Sequence, residues 1–270
     1  MSALEKMSEI TPFKQKDLRY LINTQIRKLI FIYNKYKYNK WFENELYFID
    51  CTAKDMNPDY LTSPQIFLKS LLPYTKIPMK LYLIERDKKE MKELKRNYYH
   101  RFLPMVKNTK IEINFRRRNM QEVLYDLGGK KYRYGLLYFD PYGFILEDYK
   151  ALISFIQNNP RMDIILNINA TQIKRNRTAY EKGGRECFKK YKEVTLFSII
   201  SQLNKKYIWI RDNSLLQIHS KYQWLLLFGT NTEQYDIKTF RFISIDTKEG
   251  QELLYKYNYT EKEKEEKNEN

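Results

Sequence analysis

The chain has little of several things. Only two cysteines, Cys51 and Cys187, stand in 270 residues. That excludes a disulfide framework or a thiolate zinc site and makes a reducing, cytoplasmic setting the default expectation. The two histidines, His100 and His219, sit in no nucleophilic constellation, and no grouping of residues supports a metal site. No apolar run approaches the ~20 residues that span a bilayer, so a soluble protein with no membrane partner is expected. Met1 begins a polar, mixed-charge stretch, which is not the pattern of a secretory signal. Neither a P-loop nor a G-x-G-x-x-G is present, which argues against a nucleotide-utilising enzyme with phosphate chemistry. The loop after LYFID, residues 46–50, also lacks the glycines with which many nucleotide-binding folds wrap a cofactor.

What the chain has in quantity is positive charge. A formal net charge of +16 exceeds what solubility requires and favours polyanionic partners, DNA or RNA. The plainer alternative is that many lysines solvate helix faces. A hydrophobic fraction of 43% with 16% aromatics is enough for a packed core. The length suits one large domain with appendages, since a single core grows to roughly 250–300 residues before splitting.

Hydrophobic spacing then orders the chain. In residues 1–44, Leu18, Leu21, Ile22, Ile26, Leu29 and Ile30 recur at helical spacing among Lys16, Arg19, Arg27 and Lys28, which predicts an amphipathic helix with a basic outer face. Residues 45–232 alternate strand-like and helix-like runs. The strand candidates are 45–50, 79–85, 110–115, 134–140, 162–169, 206–210 and 222–229. Several are continuously apolar, as when helices cover both faces of a parallel sheet. The pattern predicts a doubly wound, Rossmann-like α/β sheet of about seven strands, mainly parallel. The link between the last two candidates is too short for a helical crossover, so the last strand is expected to pair antiparallel. Residues 233–258 read as a C-terminal extension with a further strand and a short helix, and 259–270 as a charged, disordered tail.

Ligands of open α/β sheets lie outside the carboxyl ends of the strands. Those ends carry Asp50, Glu85, Asn119, Asp140, and Asn167 with Asn169. Glu85, after the second strand, could accept hydrogen bonds from both hydroxyls of a ribose, or it could open the next helix with Asp87 and favour its N-terminal dipole. Asn119 could bind an adenine edge or serve as a helix N-cap. The stretch LLYFDPYGF, residues 136–144, delivers Asp140 to a strand end. Pro141 stiffens the turn, Tyr142 offers a flat ring, and Gly143 permits a backbone angle or close approach that other residues resist. Acceptor, proline-held carbonyl and aromatic plate together suit a planar amine such as a nucleobase edge. DPYG is also good chemistry for an ordinary turn.

At these residues the chain resembles the class I S-adenosylmethionine-dependent methyltransferase fold and, more narrowly, the three-Cys-motif partner proteins (TcmP). The family pattern runs D-x-F-A-G-P-G, then G-S-P, I-E-K/R-D and D-P-F/Y-G. The counterparts are Asp50-Cys51-Thr52-Ala53, Thr62-Ser63-Pro64, Ile84-Glu85-Arg86-Asp87 and Asp140-Pro141-Tyr142-Gly143. The resemblance covers about residues 46–230 and implies S-adenosylmethionine as cofactor, held at Asp50, Thr52, Ala53, Glu85 and Asn119. It also implies a three-Cys-motif partner protein. Lys54 and Asp55 stand where the family has glycines, and Thr62 replaces the glycine of G-S-P; a glycine there lets backbone approach the cofactor. Amino-group methyltransferases carry D-P-P-F/Y where this chain departs with D-P-Y-G. The resemblance implies Asp140, Pro141 and Tyr142 as catalytic residues, the Asp140 carboxylate and Pro141 carbonyl holding an exocyclic amine if the chain methylates one and Tyr142 stacking on the base.

The segment 170–193 follows the fifth strand and interleaves Lys174, Arg175, Arg177, Lys182, Arg185, Lys189 and Lys190 with Tyr180 and Phe188. Cations alternating with aromatics suit a phosphate backbone and unstacked bases, although a solvated helix face has the same composition. The expectation is therefore a methyltransferase-like protein acting on nucleic acid at a base amine. The alternative is a methyltransferase fold without chemistry that serves as a nucleic-acid-binding or partner subunit.

Overall fold

A computed structural model describes residues 11–54, 61–129, 134–141, 143, 145–183, 186–211, 224–232 and 241–258; side chains at 11–14, 181–183 and 188 are not among those described. Contacts within the chain cluster into two compact units, residues 1–117 and 118–270. The fold is α/β, with eight strands among the described residues, the first five separated by helices.

The first unit opens with α1 (Thr11–Tyr36), followed by β1 (Leu46–Asp50), α2 (Ser63–Leu71), β2 (Met79–Ile84), α3 (Lys88–Arg101), the short α4 (Leu103–Val106) and β3 (Ile111–Arg116). The strands lie in the order β3-β2-β1, all parallel, with Asp50 paired to Leu83 and Leu83 to Phe115. Every residue of β1 is buried, and β2 is buried except at Lys80. That accounts for apolar runs without alternation, because a parallel strand covered on both faces has no water-facing side. The helical stripe of α1 is real: Leu21, Ile22, Ile26 and Leu29 are almost wholly inaccessible. α2 starts at Thr62, whose backbone N–H donates to Gln65 Oε1 at 3.0 Å, with Pro64 in the first turn, where a missing N–H costs nothing.

The second unit contains α5 (Met120–Gly128), β4 (Tyr134–Phe139), α6 (Leu146–Asn158), β5 (Met162–Asn169), α7 (Ala170–Gly183), a 3-10 turn (Glu186–Tyr191), α8 (Leu196–Gln202), β6 (Tyr207–Arg211), β7 (Trp224–Thr230), β8 (Phe242–Ser244) and α9 (Lys248–Asn258). β4 and β5 are parallel. β7 lies antiparallel between β5 and β6, and β8 pairs antiparallel with β6. The antiparallel pairing expected at the end of the sheet is present, and the extension supplies both its strand and its helix. β8 and α9 meet so closely that a Cβ on Gly250 would strike the Ser244 carbonyl. The tail from 259 lies outside the described residues. No described helix is long and apolar enough to cross a membrane.

Candidate functional site

In the first unit the ends of β1 and β2 are tied together by backbone: the Ala53 N–H donates to the Ile84 carbonyl at 3.0 Å. Asp50 is fully buried, and its Oδ1 accepts from the Thr52 N–H at 3.2 Å. Ala53 is buried too. The Thr52 hydroxyl is inaccessible and has no hydrogen-bond partner among the described residues. Such an orphan costs about 1–3 kcal/mol unless a ligand or water satisfies it. Lys54 is exposed, and Asp55 lies outside the described residues.

Glu85 is half-buried at the end of β2. Its Oε1 accepts from the Asp87 N–H at 2.8 Å, while Oε2 has no hydrogen bond among the described residues. The cap of α3 belongs to Asp87, whose Oδ1 accepts from Lys89 and Glu90 N–H at 2.8 and 2.9 Å. Helix capping therefore does not need Glu85, and the carboxylate keeps an open oxygen.

In the second unit Asn119 occupies the N-cap position of α5 in an extended conformation, yet its exposed side chain makes no capping bond. Asp140 follows β4 directly. Its Oδ2 accepts from the Tyr138 hydroxyl at 2.8 Å and its Oδ1 from Asn167 Nδ2 at 2.5 Å. Tyr138 and Asn167 are themselves buried, so the carboxylate is held from both oxygens by groups that packing immobilises. The sequence marks Asn167 as a polar strand end but gives it no partner. What joins it to Asp140 is the register that pairs Phe139 with Leu166 across β4 and β5. Tyr138 had a readable signal, since two residues apart on a strand means the same face.

Pro141 is buried, and Tyr142 lies outside the described residues. Gly143 has φ +93°, the backbone angle that requires glycine, and a Cβ there would meet Gln172 Oε1 at 2.7 Å, the end of a side chain that can swing aside. Gln172 belongs to the first turn of α7, where its N–H donates to Asn169 Oδ1 at 3.0 Å. The wholly buried Tyr149 packs edge-on against Phe139 at 5.0 Å. Burial, and then the Asp140 and Asp148 carboxylates, push its phenol well above the ordinary range.

The basic segment after β5 is largely engaged within the fold. Arg177 is 4% exposed, and its Nη2 donates to the Asn258 carbonyl at 2.9 Å. This corrects its expected role as an exposed phosphate contact, because the guanidinium is a strut between α7 and α9. Lys174 donates to the Lys256 carbonyl at 3.3 Å. The two cations thus serve the carboxyl end of α9, where helix carbonyls concentrate negative potential. Lys190 pairs with Glu147 at 2.6 Å and Lys189 with Glu186 at 3.4 Å. The Lys190 bond holds the Glu147 carboxyl below the usual range. Arg175 is exposed, while Arg185 and the side chain of Lys182 lie outside the described residues.

No family model and no curated protein matches the chain. Among solved structures it is similar to protein LPL1258 from Legionella pneumophila, with a TM-score of 0.52 and 13% identity over 84% of this chain and 95% of that one. That likeness is one of fold. A SAM-dependent methyltransferase from Agrobacterium tumefaciens aligns with a TM-score of 0.39 and 10% identity, over 77% of this chain and 62% of that one. A candidate rRNA methylase from Clostridium thermocellum aligns with a TM-score of 0.39 and 12% identity, over 73% and 95%.

Proposed function

We propose that this protein is an S-adenosylmethionine-dependent methyltransferase acting on an amino group of a nucleic-acid base. The observation that carries the reading is Asp140, a carboxylate at a strand end held by Tyr138 and Asn167. A fixed acceptor can orient the N–H of an incoming amine, and orientation accounts for much of the rate of a transfer that needs little acid–base help. Pro141, buried beside it, contributes a carbonyl whose direction its ring restrains.

The residues of the first unit fit the nucleoside part of the cofactor. Glu85 offers a carboxylate oxygen to ribose hydroxyls, and the Thr52 hydroxyl offers a buried polar group without a hydrogen-bond partner among the described residues. Asn119 in the second unit keeps its amide unengaged at a helix start. When bound, S-adenosylmethionine supplies an electrophilic methyl.

Two measurements test this. Calorimetry with S-adenosylmethionine and its demethylated product should detect binding, and Glu85→Ala should weaken it by about 1.5–3 kcal/mol, the range for hydrogen bonds to a charged group. Transfer of a labelled methyl to mixed DNA and RNA should fall by orders of magnitude in Asp140→Asn while cofactor affinity holds. Lys54 and Thr62, standing at positions of family glycines, favour a second reading, a binding subunit without chemistry. Absence of cofactor binding at millimolar concentration, with nucleic acid still bound, would select it.

A further inference from the structure

The end of α1 and the turn after it carry a feature that the methyl-transfer reading does not use. Between Asp17 and Glu43 the chain has six cations and no acid. The buried stripe of α1 faces the core, and Arg27, Phe31 and Lys35 are exposed at steps of four residues that keep them on one face; Tyr38 and Trp41 are exposed in the turn that follows. From Arg27 to Lys35 that face is about 12 Å long at 1.5 Å per residue, and the chain continues from it into the turn that carries Tyr38 and Trp41.

Aromatic rings interleave with these charges. Of the seven large hydrophobic side chains exposed among the described residues, three lie within residues 31–41: Phe31 at 67%, Tyr38 at 87% and Trp41 at 50%. Single exposed apolar residues need no explanation, but a cluster does. Trp41 is buttressed by Tyr36, with ring centroids 5.2 Å apart, and by the edge of buried Phe42 at 6.1 Å, so its indole is held in place. Arg19, Arg27, Lys35, Lys37 and Lys40 make no ion pair among the described residues, in contrast to the cations that follow β5.

We infer that this part of the first unit, from Arg27 to Trp41, is a docking surface for single-stranded nucleic acid. Unopposed cations complement a polyanion, and exposed rings that a duplex could not reach stack on unpaired bases. The inference deepens the nucleic-acid part of the function proposed above, and its test needs no cofactor, so the two can fail separately.

The experiment is fluorescence anisotropy of the full chain with a labelled 20-nucleotide single strand and with a duplex of the same length, across a salt series. Arg27→Gln/Lys35→Gln/Lys37→Gln should flatten the single-strand salt slope by about 2, at ~0.7 per phosphate contact. Phe31→Ala/Tyr38→Ala should weaken single-strand binding at least tenfold, a loss within the range for removed stacking contacts, and leave duplex affinity within twofold. Both variants should melt near the wild-type temperature, since none of the five side chains is buried. Unchanged single-strand affinity in both variants would overturn the inference. So would equal losses on single strand and duplex in the aromatic variant, or a wild-type protein that ignores the oligonucleotides but sediments with phosphatidylserine vesicles, which would assign the face to a membrane surface. If the single strand binds through α1 and no methyl is transferred, the docking surface stands and the enzyme reading falls.

Discussion

Helices α1 and α7 carry cations of the same kinds, yet the structure uses them differently. On α7, Arg177 and Lys174 reach the last carbonyls of α9, and Lys190 just beyond it pairs with Glu147. On α1, Arg27 and Lys35 are exposed and make no ion pair among the described residues. A cation that finds a carbonyl at a helix end is part of the scaffold; a cation left in water beside exposed rings is not held by the fold. Composition alone does not separate these two uses: Arg177 reads from the sequence like any exposed cation, and the structure buries it against α9.

The contrast can be broken most directly at Arg177. Arg177→Met keeps an apolar stem but removes a buried, charge-assisted hydrogen bond and strips the Asn258 carbonyl of that donor. Equilibrium denaturation should show a loss of about 1.5–3 kcal/mol, against less than about 0.5 kcal/mol for Arg27→Met on α1. Equal effects would mean that the two helices do not differ as described. Lys174→Ala should fall between them. Its bond to Lys256 is longer and the side chain only half-buried, so a loss of about 0.5–1 kcal/mol is expected from the same melts.

The smallest effect concerns Glu147 and Lys190, both side chains 45% exposed. The Lys190 hydrogen bond lowers the Glu147 pKa, so the stabilisation is complete above the ordinary carboxylate pKa and is lost as pH falls through the lowered folded value. The same bond raises Lys190, so on the alkaline side the contribution is complete below the ordinary lysine pKa and is lost as pH rises through the raised one. Glu147→Gln should therefore cost about 0.5 kcal/mol or less at neutral pH and low salt. The difference from wild type should vanish in acid and in 1 M salt. A difference that persists in acid would show that the glutamate acts by packing rather than charge.

Much of the fold was legible in the order of residues. The run 162–169 is β5 to the residue, and the periodic stripe from Leu18 to Ile30 lies within α1, because continuous apolar runs and helical spacing record burial that each segment must satisfy locally. Of the candidate site, the strand-end positions of Asp50, Glu85 and Asp140 were readable for the same reason. Geometry adds what spacing along the chain does not carry. Asp87 takes the α3 cap and leaves Glu85 with an open oxygen, while Asn119 holds the N-cap position without using its side chain. Proximity along one strand could have revealed Tyr138, but nothing local joins Asn167 to Asp140.

The sequence by itself determined where strands and helices lie, which strand ends carry acids, that Gly143 ends the DPYG turn, and that the chain is strongly basic. Tertiary structure decided which of those groups are engaged. Asn167 meets Asp140 only through the register of β4 on β5, and Arg177 finds its acceptor 81 residues away. The physical reason is range. Periodicity and capping depend on neighbours within a few positions, whereas the partner of a charge is whatever the packed chain brings within hydrogen-bond distance.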